Sequence, residues 1–224
     1  MKRIGFITGI EIEANILRKG SQYSKSKIIS VSNTESNAYT EANEMVKSGC
    51  EILVSFGFAG ALDPKLSAGD LVIPNAVVDT EGNIFEADYN LHKNLTSHFS
   101  KELKPSSGKL FGSECVIWNA NEKKRIFERF DTTTVDMESL GVAKAANEGN
   151  CSFVVVRAIS DTAYQNLPKE SLKSFYLSNS IKLGDILIDL TRNLRELPEF
   201  LQLAQNSQKA YSCLKNVTRL GFGI

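Results

Sequence analysis

Short runs of β-branched and aromatic residues alternate along this chain with stretches of helical spacing, and that alternation constrains the fold more than any other feature. Lys2 to Thr8 reads as a first strand, and Glu11 to Leu17 starts a short helix after the turn at Gly9. Lys27 to Ser32 is the next strand. From Ser36 to Lys47 the spacing of Ala38, Ala42, Met45 and Val46 suits an amphipathic helix, closed by Gly49. Ile52 to Phe56 makes a buried strand. Gly57, Gly60 and Gly69 punctuate a loop leading into Asp70 to Asp79, a run rich in Val and Ile that predicts another long strand. Leu110 to Ile117 is a weaker strand candidate. Asn121 is placed to cap a helix running to Phe130, and the Ala-rich segment Glu138 to Glu148 predicts another, ended near Gly149. Phe153 to Ile159 is the strongest buried strand. Beyond Asp161 the pattern turns helical, with runs at Ser180 to Leu194 and Glu199 to Leu214, and Pro198 suits a helix start. Strands alternating with helices predict a layered α/β domain with a mixed, mostly parallel sheet, whose ligands gather at the carboxyl ends of the strands.

With 224 residues, 42% of them hydrophobic, one domain over residues 1–224 can bury a substantial core. The 26 basic residues balance the 26 acidic ones, so no global field recruits a polyanion, and nucleic acid is not an expected partner. The segment from Met1 to Thr8 has few apolar residues before Glu11 and Glu13, too few for a signal sequence or a membrane span. A soluble, cytoplasmic protein is expected. Cys50, Cys115, Cys151 and Cys213 are scattered, with only His92 and His98 as imidazole partners, which predicts reduced, mostly buried thiols and no metal site. The two histidines read as surface residues of a helix, and Arg157, in a buried strand, needs a carboxylate partner.

Small or acidic residues follow the strands: Thr8, Gly9 and Glu13 after the first, Gly57 to Gly60 after the third, and Ser160 with Asp161 after the strongest. Taken singly, each carboxylate has an ordinary reading. Asp161 can cap the next segment, Glu138 can be a first-turn helix acid, and Glu13 can sit on a solvated helix face. Gly57 and Gly60 can be turn residues, Val116 and Ile117 core, and Trp118 either packing or a stacking platform.

Together the motifs resemble the purine nucleoside phosphorylase and nucleosidase superfamily along nearly the whole chain. Ile4 to Glu13 looks like that family's opening strand and loop, and Phe56 to Leu62 with Leu66 to Pro74 looks like its glycine-rich turn and following strand. Val135-Asp136-Met137-Glu138-Ser139 matches its V-E/D-M-E-[AS] signature, and Arg157-Ala158-Ile159-Ser160-Asp161 its R-x-I-S-D signature. Val54 to Pro64 and the tail from Leu197 to Ala204 look more like the hopanoid-associated phosphorylases within it.

The resemblance implies a three-layer, sandwich-like α/β single domain and an enzyme that releases a purine, adenine first, from a 5'-substituted nucleoside. In that scheme Asp161 is the general acid for the base and Glu138 binds the ribose hydroxyls, with Met137 packed on the sugar. Glu13 positions or deprotonates water in the hydrolytic branch. Ser160, Val116, Ile117, Phe58, Ala59 and Gly60 are expected at the base. Thr8, Gly9, Ser32 and Asn33 are the candidates for an anion site, with inorganic phosphate as cosubstrate and no metal or organic cofactor. Phosphorolysis, possible in hopanoid-type metabolism, is the first reading; hydrolysis of methylthioadenosine or adenosylhomocysteine is the second, and a nucleoside-binding paralogue without turnover the third. Two departures bear on phosphate: relatives generally carry glycines at Ser32 to Asn37, where Glu35 adds a negative charge, and the Thr8 to Glu13 loop has no arginine. A homo-oligomer is implied by resemblance alone.

Overall fold

The computed structural model describes residues 2–20, 27–172 and 193–224. Its chain order is β1 (Ile4–Thr8), α1 (Glu11–Lys19), β2 (Lys27–Val31), α2 (Glu35–Lys47), β3 (Ile52–Ala61), β4 (Leu71–Val72), β5 (Ala76–Val78), β6 (Ile84–Glu86), α3 (Tyr89–Phe99), β7 (Lys109–Gly112), α4 (Ala120–Phe130), β8 (Thr134–Asp136), α5 (Ser139–Glu148), β9 (Ser152–Asp161), a short 3-10 turn (Leu194–Glu196) and α6 (Leu197–Leu220). The helix expected over Ser180 to Leu194 lies almost wholly outside the described residues.

The strands form one mixed sheet in the order β2-β1-β3-β8-β7-β5-β6, with β9 beside β3 and β4 beside β9. Alternation along the central strands gives it two apolar faces. Phe6, Val54, Val154 and Val156 point to one side, where Ile16 and Leu17 of α1, Leu91 and Leu95 of α3, and Leu214 and Val217 of α6 cover them. Ile7, Leu53, Phe153 and Val155 point to the other, against Ala38, Ala42 and Met45 of α2 and Ala143 and Ala146 of α5. Helix, sheet and helix make the three layers of a single α/β domain. Helices α2 and α5 pack tightly because Gly141 has no side chain: a Cβ there would lie 2.7 Å from the Tyr39 nitrogen.

Several expectations shift. The run Asp70 to Asp79 splits at Pro74, which has no N–H for a ladder; β4 pairs with β9, whereas β5 pairs with β6 and β7. The expected strand Leu110 to Ile117 stops at Gly112, leaving 113–119 as a loop. Helix α4 is capped by Asn119, not Asn121, its side chain accepting the Glu122 N–H at 2.9 Å. Strand β3 runs on through Gly57 to Ala61, so those glycines lie in a strand and not in a turn. His92 and His98 do lie on a surface helix, each bonded to a backbone carbonyl, of Ile73 and Gly221. Among the described residues no helix is long and apolar enough to cross a membrane.

Candidate active site

A cavity of about 410 Å3 opens at the carboxyl ends of β1, β3 and β9, where β3 leaves β9 and turns to pair antiparallel with β8. At that crossing the β3–β9 register slips between Ala59 and Gly60, a bulge that sets Asp161 opposite Gly60. Asp161, Glu13, Glu138, Met137, Ser160, Val116, Ile117, Phe58, Ala59, Gly60 and Gly9 all line the cavity. Three glycines make room for its carboxylates. A Cβ on Gly9 would lie 2.7 Å from Glu138 Oε1, one on Gly60 2.9 Å from Asp161 Oδ2, and one on Gly57 would strike the Glu13 carboxylate.

Glu13 is not on a solvated helix face; it is 4% exposed. Its Oε2 accepts the N–H groups of Gly9 at 2.7 Å and Ile10 at 3.0 Å, and its Oε1 accepts that of Phe58 at 2.7 Å. Burial raises its pKa above the ordinary glutamate value, against the opposing pull of Arg157 and those three N–H groups. Glu138 occupies the N-cap position of α5 rather than its first turn, and its side chain makes no cap bond. Asp136 does that work: its Oδ1 accepts the Ser139 N–H at 3.0 Å. Burial, followed by the charges of Asp136 and Glu13, pushes the Glu138 pKa well above the usual range, with Arg157 opposing.

Arg157 is fully buried and finds the carboxylate it requires: Nε donates to Asp136 Oδ2 at 2.6 Å and Nη2 to Ser55 Oγ at 2.7 Å. Burial alone would lower its pKa; Asp136, Glu138 and Glu13 reverse that and raise it. Its Nη1 has no hydrogen-bond partner and lies against Gly57, beside Glu13. Ser160 Oγ donates to Asp161 Oδ1 at 2.8 Å.

The expected anion site does not assemble. Thr8, Ser32 and Asn33 are outside the cavity lining. Thr8 Oγ1 donates to the Ser30 carbonyl at 3.1 Å, and the Ser32 N–H goes to the Thr8 carbonyl at 2.7 Å. Only Gly9 reaches the cavity, and Glu13 takes its N–H. Glu35 turns away to Lys144, at 2.7 Å. Trp118 also lies off the cavity, its carbonyl accepting the Leu167 N–H at 2.9 Å. Cys50 and Cys213 are buried and Cys151 half-buried, whereas Cys115 is exposed at the cavity.

Sequence reasoning missed Lys123, 1% exposed, whose Nζ donates to Asp161 Oδ2 at 2.5 Å. A signal was present, because Lys123 sits three, four and seven residues before Ile126, Phe127 and Phe130, which pack on one apolar cluster. It also missed the apolar wall of Ile10, Ile12, Leu172 and, from α6, Phe200 and Leu203. Among the described residues no group of three or more His, Cys, Asp or Glu is placed to hold a metal.

A 5'-methylthioadenosine/S-adenosylhomocysteine nucleosidase of Staphylococcus epidermidis is 26% identical over 131 residues, which cover 50% of this chain and 58% of that protein. The chain thus spans little more than half the length of the curated relatives it matches. A nucleosidase of the same name from Neisseria meningitidis, in complex with methylthio-immucillin-A, superposes with a TM-score of 0.74 at 15% identity, over 98% of both chains. A futalosine hydrolase mutant of Helicobacter pylori superposes with a TM-score of 0.70 at 15% identity, over 96% of this chain and 97% of that one. These relatives are nucleosidases and a hydrolase by name, not hopanoid-associated phosphorylases. A family model described as the phosphorylase superfamily matches residues 16–192, and the chain belongs to that superfamily.

Proposed function

We propose that the protein hydrolyses the N-glycosidic bond of a purine nucleoside, with adenine as the base and an apolar substituent at the 5' position. The observation that carries hydrolysis over phosphorolysis is the capture of the Gly9, Ile10 and Phe58 N–H groups by Glu13. Those amides are the donors an anion would need, and the buried carboxylates of Glu13 and Glu138 repel a phosphate. This reverses the sequence-based preference for phosphate as cosubstrate.

Cleavage sends the glycosidic electron pair into the base and leaves positive charge on the ribose. Asp161 protonates the departing purine, oriented by Ser160, while Val116, Ile117, Phe58, Ala59 and Gly60 enclose the ring. Glu138 accepts from the ribose hydroxyls and sets negative charge beside the cationic sugar, with Met137 packed on it. Glu13 Oε1 keeps acceptor capacity beyond the Phe58 N–H, and the unpartnered Nη1 of Arg157 lies beside it. A water held against Glu13 in the cavity would give its proton to Glu13 as it adds to the sugar carbon. Ile10, Ile12, Leu172, Phe200 and Leu203 supply the apolar wall for the 5' group. The homo-oligomer implied by the resemblance belongs to this proposal, and light scattering on the purified protein tests it.

Adenine release from methylthioadenosine, with and without inorganic phosphate, tests the reaction. The expected result is free base and free sugar at a rate indifferent to phosphate; a sugar 1-phosphate product would sink the hydrolytic reading. Glu13→Gln and Asp161→Asn are each expected to lower kcat by about 100-fold or more, measured by the same release.

A further inference from the structure

Resting on that reading, we propose that Lys123 supplies the proton that Asp161 delivers to the departing base. The Nζ of Lys123 makes three hydrogen bonds: to Asp161 Oδ2 at 2.5 Å, to the Thr162 carbonyl at 2.9 Å and to the Gln165 carbonyl at 3.2 Å. An ammonium has three N–H donors and an amine has two. If the proton facing Asp161 leaves, the two that remain still match the two carbonyls, so the site satisfies lysine in either state. A purely structural ion pair has no need of that match.

Desolvation supplies the drive. Lys123 is sealed from the open cavity, its side chain 1% exposed, and the pair meets cavity water only through the Asp161 carboxylate, 9% exposed. When a purine fills the cavity and expels that water, two buried charges become costly relative to a neutral amine and a neutral acid. The proton then moves along the short hydrogen bond: the N–H bond on Lys123 breaks as the O–H bond on Asp161 forms. The acid passes a proton to a purine ring nitrogen while the glycosidic electron pair goes to the base. Water adds to the sugar carbon and its proton goes to Glu13. Lys123 ends as an amine and Glu13 as an acid, and both return to their starting states by proton exchange with solvent once the products leave. Lys123 acts through Asp161 and is therefore a positioning and proton-supplying residue.

The test compares leaving groups. Adenine must take a proton to leave, whereas the phenolate of a 4-nitrophenyl riboside need not. Lys123→Met is expected to lower adenine release from methylthioadenosine by about 100-fold or more, while cleavage of the phenyl riboside falls by less than about fivefold. Adding Lys123→Met to Asp161→Asn should cost nothing beyond Asp161→Asn alone, because the two residues act in series. The double variant removes both buried charges together, so it guards against misfolding, and thermal unfolding checks each protein. Equal losses with both leaving groups, or additive losses in the double variant, would overturn the relay and leave Lys123 as scaffold. The double-variant comparison needs only the nucleoside and shows whether Lys123 acts through Asp161; the leaving-group comparison shows whether that action concerns the proton given to the base. A folded wild-type protein that cleaves no nucleoside overturns the proposed function itself, a separate outcome.

Discussion

Burial raises the pKa of Glu138, and Asp136 and Glu13 sit close enough for their charges to raise it further. In an unfolded chain its carboxyl would titrate near the ordinary value. A group whose folded pKa lies above its unfolded one favours folding below the unfolded value, and that benefit is lost as pH rises through the folded pKa. Glu138 therefore costs the empty protein stability at neutral and alkaline pH. Glu138→Gln is expected to raise the melting temperature at pH 8 and to raise it less at pH 5. The same variant should lose about 100-fold in kcat/KM, since the charge beside the cationic sugar is gone. Differential scanning calorimetry at both pH values checks the first expectation. A variant that melts no higher than wild type at pH 8 would show that Arg157 already compensates for the charge.

At the scale of elements, Asp136 joins β8, α5 and β9. Its Oδ1 accepts the Ser139 N–H at the start of α5, and its Oδ2 accepts Ser139 Oγ and Arg157 Nε, at 2.5 and 2.6 Å. Arg157 is fully buried, so removing its main partner strands a charge inside the sheet. Asp136→Ala is expected to destabilise the fold by about 3–5 kcal/mol, read by urea denaturation, and to lower activity because Arg157 then draws on Glu138 and Glu13. Asp136→Asn keeps the cap acceptor and should lose less stability. The sequence shows the V-D-M-E segment plainly. It does not show that the first acid holds the helix and the arginine while the second faces the cavity, because that division depends on β9 arriving beside them.

Over the whole molecule, α6 lies beyond the end of the family match at residue 192, yet it is built into the core. Phe222, just after it, meets Phe6, Phe56 and Phe99 edge to face, with centroids 5.2, 5.8 and 6.2 Å away. It is 3% exposed, so Phe222→Ala leaves a cavity shared by two strands and α3 and should cost about 3–5 kcal/mol. Cooperative loss of the whole fold in denaturant, rather than release of the tail alone, is the expected signature. By itself the sequence determined the types of most elements, the two-faced sheet and the carboxylates Glu13, Glu138 and Asp161, because hydrophobic periodicity and short signatures are local properties of the chain. Tertiary structure alone decided that Glu13 takes the Phe58 amide 45 residues away, which removes the expected anion site, and that Lys123 meets Asp161 across 38 residues. The first contact depends on how α1 meets β3, and the second on how α4 packs beside the end of β9. Such distances are set by the packing of separate elements, and no periodicity within either segment encodes them.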